Sequence, residues 1–576
     1  VNTPSVDRAW YLRLEWLLVW ASFALFATIR APIPGINEPH YFTKAKHFWD
    51  PAWCSRDPFL QSANAHYIFY ATFGALTKFL TLTQSAWIGR VLGWGLLASG
   101  WCALASQFSR LRGFGLWSAW VFLGLASLYN WSGEWVVGGI EAKVISYACV
   151  WWSLASLISG KRIHAAGWAG VAVSFHPVVG IWHTGAAMLA MLSTQRVRYW
   201  VAAFRSIVVA GIVWSVCATP GLIPAIAMIR EANPDDAYAA DYLQVFHRLS
   251  HHLDPLKFHL ESHIFYGILI GLVIVAHVVI RWRSRQILSR NNGQLGSETS
   301  GRPANGVAVA DQANAIAAEL LLFRYVMIAV FIALAGLTLR ASPKIADWLL
   351  KSNALPALQN RLTVIVKSEN HLAKWLKFYP FRLADVVVPL ALAMQSTYLL
   401  TRFVTGREPG TGAVTASAGR ALIPWLVFAI VSTGTVFNSI AATKNDARLK
   451  PELFPDWRDT CQWLRSETPV DSMCFAPSQA FGLKWYAERA EYVSHKDCPQ
   501  DAAGIVAWNK RFLLIGKWSR QLTSNGYTKQ MVRELHKSTG IDYIITPIVG
   551  SKLGRFPIQP VYQNESYQVF RLVDAE

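Results

Sequence analysis

Charge is scarce in this chain: 15% of its 576 residues are Asp, Glu, Lys or Arg. Acids are the rarer sign, with 35 Asp and Glu against 54 Lys and Arg. The seven cysteines form no C-x-x-C pair, which removes the common zinc and dithiol spacings. No glycine-rich phosphate loop, dinucleotide fingerprint or hydrolase triad motif is present to suggest nucleotide-dependent or acyl-transfer chemistry. A cleavable leader is not expected either. The first apolar stretch, 12–29, is as long as a true span, lacks a small-residue cleavage site and reads as an uncleaved anchor.

Apolar residues are abundant instead, at 53% with 27 Trp, and mean hydropathy is +0.26. Spanning a bilayer takes about 20 mostly apolar residues. Such runs recur at 12–29, 85–108, 114–130, 142–158, 207–228, 263–280, 315–339, 383–404 and 421–441. A further run, 165–192, is interrupted by His176-Pro177 and reads as two short helices meeting at the break. The expectation is a mostly α, polytopic membrane protein of about 11 transmembrane helices.

The net charge of +19 would suggest nucleic acid in a soluble protein. Here Arg110, Arg112, Lys161, Arg162, Arg196, Arg198, Arg205 and the 281–290 arginines all lie in linkers. With a cytoplasmic N-terminus, every one of those linkers is cytoplasmic, so the charge is topological and no nucleic-acid partner is expected. The stretch 340–380 is the exception, an external segment with five lysines, read as lying along the membrane surface. The linker 281–313 is expected to be a flexible cytoplasmic loop, its centre rich in Gly, Ser and Asn.

An odd number of spans puts the C-terminal part outside. Residues 1–442 form the membrane domain and 443–576 an external soluble α/β domain. In the latter, 456–466 reads as a helix with Trp457, Cys461 and Leu464 on one face. Strands are expected at 473–476, 491–494 and 543–546, with a hairpin over 561–572. Asn564-Glu565-Ser566 fits the glycosylation pattern. Two of Cys461, Cys474 and Cys498 can pair in an oxidising compartment.

Polar residues at the external span ends carry the candidate chemistry. The first external loop, 32–84, opens with Asn37-Glu38-Pro39-His40-Tyr41 and also holds Asp57 and His66; its part 66–82 is expected as an interfacial helix. Glu38 and His40 are the candidate catalytic base and orienting group, the alternative being a helix cap. Candidate substrate contacts are Asp57, Glu141, Lys143, His176, His251, His252 and Arg382. Glu141 and Lys143 fall on nearly opposite faces of a helix and are expected not to pair. His251-His252-x-Asp254 has donors suited to a divalent metal or to an anionic headgroup, and no other cofactor is called for. Arg382 either pairs with Asp385, three residues on, or clamps a phosphate.

With this acidic loop motif, a cytoplasmic N-terminus, paired short helices and an external C-terminal domain, the chain resembles the GT-C superfamily of glycosyltransferases. Members have Asp-Glu-Pro where this chain has Asn37-Glu38-Pro39, and the resemblance puts Glu38 in place of the catalytic carboxylate. It implies transfer of a sugar from a polyprenyl-phosphate donor on the periplasmic face of a bacterial inner membrane, with membrane lipid and the lipid-linked sugar as partners. Glu38-Pro39-His40-Tyr41, Gly139-Ile140-Glu141-Ala142-Lys143, His251-His252-Leu253-Asp254-Pro255, Pro380-Phe381-Arg382 and Ala487-Glu488-Arg489 also resemble a bacterial membrane-protein family to which no activity is attached. The alternatives are a flippase for a lipid-linked precursor and a non-catalytic envelope scaffold.

Overall fold

Inside a bilayer the backbone must satisfy its own polar groups, so the apolar runs fold as helices. The computed structural model describes residues 5–194, 203–294, 305–352, 358–367, 369–405, 418–444, 453–477, 482–548 and 556–575. Its first part comprises α1 (Ser5–Arg30), α2 (Glu38–Trp49), α3 (Leu82–Ala105), α4 (Phe114–Leu128), α5 (Ala142–Ile158) and α6 (Arg162–Phe175). There follow α7 (Pro177–Thr194), α8 (Phe204–Arg230), α9 (Leu260–Gln294), α10 (Asn305–Lys351), α11 (Arg382–Thr405) and α12 (Ala418–Lys444). All of these but α2 occupy the expected apolar segments.

The chain is a mostly α, polytopic membrane protein with a small C-terminal α/β domain. Among the described residues six helices are long and apolar enough to cross a membrane: α3, α8, α11 and the apolar parts of α9, α10 and α12. Helices α4, α5 and the 177–193 part of α7 are apolar but shorter. Helix α6 has 14 residues, about 21 Å at 1.5 Å per residue and less than the roughly 30 Å hydrocarbon thickness. The break at His176-Pro177 is as expected.

Two expectations are corrected. The 281–313 linker is not a loop throughout, because α9 continues to Gln294 and α10 begins at Asn305; 295–304 lie outside the described residues. The 66–82 stretch is two short turns, Tyr67–Ala71 and Phe73–Lys78, rather than one helix.

Large aromatics fill the centre of the bundle. Trp101 and Trp151, both 0% exposed, meet edge to face at 5.2 Å, and Phe23 and Phe122 close around them. Helices α6 and α8 touch backbone to backbone, since a Cβ on Gly221 would lie 2.4 Å from Ser174 Cα.

In the C-terminal domain, α13 (Phe454–Glu467) packs Trp457, Cys461 and Leu464 into a core, as its periodicity predicts. The sheet comprises β1 (Met473–Phe475), β2 (Ala490–Glu491), β3 (Tyr543–Pro547), β4 (Tyr562–Gln563) and β5 (Tyr567–Arg571), in the order β2-β1-β3-β5-β4. Strands β1, β2 and β3 run parallel, while β5 is antiparallel to β3 and β4. The expected strand at 491–494 pairs only over Ala490–Glu491. Helix α14 (Ala502–Asn525) and helix α15 (Lys529–Thr539) complete the domain. The cysteines that could have paired do not: all seven are free thiols, with Cys461 and Cys474 in one core cluster and Cys498 in another. Asn564 turns its amide inward to the Asp456 carbonyl, 2.8 Å away, which withdraws it as a glycosylation acceptor.

Candidate functional site

Glu38 begins α2 and is 1% exposed. The Arg90 fork donates to both its oxygens at 2.6 and 2.8 Å. The N–H groups of Gly35 and Ile140 add bonds of 2.6 and 2.9 Å. A carboxylate has about four lone-pair positions, and here all are taken. The expected catalytic base is thus, in this geometry, a strut joining α2, α3 and the loop before α5. Arg90 was missed in the sequence, although an arginine inside the 85–108 span was itself the signal that a buried acid must face it.

Other predicted residues converge beside it. Asp385 of α11 accepts the N–H groups of Trp131, Ser132 and Glu134, which folds the 129–141 loop and presents Glu134 inward. Asp385 therefore serves that loop and is not the partner of Arg382. Arg382 Nε lies 3.1 Å from Glu134 Oε2, and its Nη1 donates to His176 Nε2 at 3.1 Å. The guanidinium stacks 3.8 Å over Tyr379, a residue held at φ +53°; a left-handed aromatic is strained, and such strain gathers at functional sites. Lys143 reaches Glu141 at 3.1 Å and Glu134 at 3.4 Å. The expectation that Glu141 and Lys143 could not pair is overturned because Glu141 precedes the helix, with extended backbone at φ −154°, ψ 168°.

Asn37 donates to Glu141, and Tyr41 meets His66 at 3.1 Å. His66 lies 5.2 Å from the His176 ring, centre to centre. Burial lowers the His66 pKa to about 3, so its imidazole is neutral. Among the described residues, Arg382 Nε has no hydrogen-bond acceptor and Glu134 Oε1 has no donor, although both are buried. Arg382 Nε is at ion-pair distance from Glu134 Oε2 without hydrogen-bond alignment, so it and Glu134 Oε1 keep hydrogen-bonding capacity that a ligand's polar groups would take up. His252 sits at the edge, bonded to the Ser132 carbonyl, with the exposed His251 ring 4.1 Å from its own. Burial lowers the His252 pKa to about 3. Asp254 is committed to Arg340 at 2.9 Å, so it does not join them. No group of three His, Cys, Asp or Glu side chains suited to a metal occurs among the described residues.

A cavity of about 410 Å³ opens next to this cluster, walled by Phe26, Phe122, Leu123, Val136 and Ile140 and ending on Asn37, Glu38 and Trp135. It stops one side chain short of Lys143: Asn37 bonds Glu141, and the Lys143 ammonium lies 4.2 Å over Trp135.

His40 and Asp57 belong to a separate cluster, where the first loop meets the C-terminal domain. Lys484 lies 2.7 Å from Asp497, 2.9 Å from Glu491 and 3.2 Å from Asp57. His40 Nδ1 is 3.1 Å from Asp497, and burial lowers its pKa. Asp57 also accepts the N–H groups of Phe59, Leu60 and Glu491, a locking role in place of the expected substrate contact. Lys484 and Asp497 were not singled out in the sequence, where nothing local marks them.

A family model described as a domain of unknown function (DUF6798) matches residues 455–515. No curated protein matches the chain. Among solved structures, the fold is similar to ArnT from Cupriavidus metallidurans bound to undecaprenyl phosphate, over 98% of both chains at 13% identity and TM-score 0.41. It is also similar to the archaeal oligosaccharyltransferase AglB from Archaeoglobus fulgidus in complex with an inhibitory peptide and a dolichol-phosphate, over 95% of this chain and 70% of that one, at 12% identity and TM-score 0.33.

Proposed function

We propose that the chain is a membrane glycosyltransferase that moves a sugar from a polyprenyl-phosphate donor to an acceptor on the periplasmic face. The observation that carries the reading is two cations, Arg382 and Lys143, gathered on Glu134, with a largely apolar cavity whose wall residue Trp135 touches Lys143. The cavity suits an isoprenoid tail, and the planar Arg382 fork suits the phosphate that joins tail to sugar.

Donor phosphate taking the Arg382 and Lys143 donors releases the Glu134 carboxylate from both cations, leaving it free to accept a hydrogen bond from the acceptor hydroxyl. The acceptor oxygen then bonds to the anomeric carbon, its proton passes to Glu134 Oε1, and the breaking carbon–oxygen bond leaves its electron pair on the phosphate. Arg382 and Lys143 stabilise that charge. Glu38 holds the walls in place and takes no proton. The arginine-rich linkers support a cytoplasmic N-terminus, with the site and C-terminal domain on the opposite side. Labelling of cysteines introduced at Lys161 and at Leu513 from one and the same side would overturn this orientation.

Purified protein should bind undecaprenyl phosphate, and Arg382→Lys should weaken that binding about tenfold or more despite the retained charge. Glu134→Gln should keep donor binding and lower product formation by about 100-fold. Wild-type protein that moves a lipid-linked sugar across the bilayer with no transfer product would replace this reading with a flippase. Binding that ignores both Arg382→Lys and Lys143→Gln would remove the phosphate site.

A further inference from the structure

The C-terminal turns of α10 and the residues leading from it to α11 depart from the charge rule that orders the rest of the chain. Both flanking ends lie on the side of Arg382, yet residues 341–378 carry six Lys and Arg against two Asp and Glu. Helix α10 brings its apolar part and then this segment to the surface, and the Gln359–Lys367 helix follows. Leu362 packs inward, while Ile345, Trp348, Val364 and Trp375 are 52, 65, 67 and 60% exposed. Lys344, Arg361 and Lys374 are exposed on the same segment.

Exposed aromatic and branched side chains interleaved with cations, between two helices read as entering the bilayer, match the interfacial layer in composition. Trp favours the headgroup level, aliphatic side chains reach the acyl boundary, and Lys and Arg meet lipid phosphates. Water would leave these apolar side chains unsatisfied, and a neutral headgroup layer would gain nothing from the cations.

We infer that residues 344–352, 358–366 and 371–378 form an anionic-phospholipid-binding surface beside the site, seated in the headgroup layer. The inference is independent of the transfer reading, because it needs no turnover. Continuity with α10 and α11 places the surface at a membrane boundary, and charge complementarity selects acidic lipid.

The test uses the full chain in nanodiscs of phosphatidylcholine alone or mixed with phosphatidylglycerol. Val364→Cys carries an environment-sensitive fluorophore, and the signal from the parent chain treated in the same way is subtracted. Brominated phosphatidylglycerol should quench the label severalfold more than brominated phosphatidylcholine. High salt, or the K344Q/R361Q/K374Q variant, should abolish that preference while the label still contacts lipid. Equal quenching by the two lipids would overturn acidic-lipid selection. Quenching by aqueous iodide alone would overturn membrane seating and leave the surface to a protein partner.

Discussion

Arg90 and Glu38 are each 1% exposed, and breaking such a pair on one side strands the other charge. Glu38→Gln should therefore lower stability by about 3–5 kcal/mol, seen as a reduced melting temperature in detergent. Activity should fall only in proportion to the folded fraction. A Glu38→Gln protein that melts like wild type yet loses turnover would restore Glu38 as the proton acceptor. The sequence did mark Glu38 as unusual, since an acid at the mouth of an apolar span needs a reason. Choosing between base and strut required Arg90, 52 positions away.

Helix breaks were more legible, because Pro177 lacks the amide hydrogen that would continue α6 and bars a preceding helical residue. The break leaves His176 at φ −145°, ψ 93°, from which its ring reaches Arg382. Pro177→Ala would let the helix run on and draw His176 away. Undecaprenyl phosphate should then bind about tenfold more weakly, the scale of one lost hydrogen bond to a charged group, with little change in melting temperature. Unaltered binding would show that His176 does not orient Arg382. Helix-face reasoning failed one turn too early at Glu141, where the backbone is still extended. It succeeded at α13, where the whole face lies inside the helix.

Across the whole molecule, the C-terminal domain is joined to the first loop by ion pairs: Arg56–Asp542, Lys46–Glu488 and the Lys484 cluster. Burial, foremost among several causes, raises the Glu491 pKa to about 7 from 4.5, with Asp497 and Asp57 adding to it against Lys484. Between those values the folded state holds a proton that the unfolded chain releases. The contribution is full below about pH 4.5 and lost as pH rises through about 7. His40 and His66 are lowered by burial and slope the other way below about pH 6.5. Asp497 is depressed despite burial, chiefly by Lys484 and His40, so its contribution fades only at more acidic pH. The Glu491 component is isolated by comparing melting temperatures of wild type and Glu491→Gln from about pH 5 to about pH 8. The wild-type advantage should shrink steadily as pH rises; a constant gap would mean that Glu491 stays ionised at the interface.

Local periodicity determined much of this protein: the apolar helices, the break at His176-Pro177, the buried face of α13 and the β4–β5 hairpin follow from residues adjacent in the chain. It also placed Glu141, Lys143, His176 and Arg382 at helix mouths, because charge is excluded from the apolar runs between them. Tertiary structure alone decided what each charge meets. Asp385 went to the 129–141 loop, Glu38 to Arg90, and Asp57 and His40 to a cluster built around Lys484, more than 400 positions away. A buried charge is held by whichever opposite charge the fold brings within about 3 Å in the right orientation, and distance along the chain carries no record of that proximity.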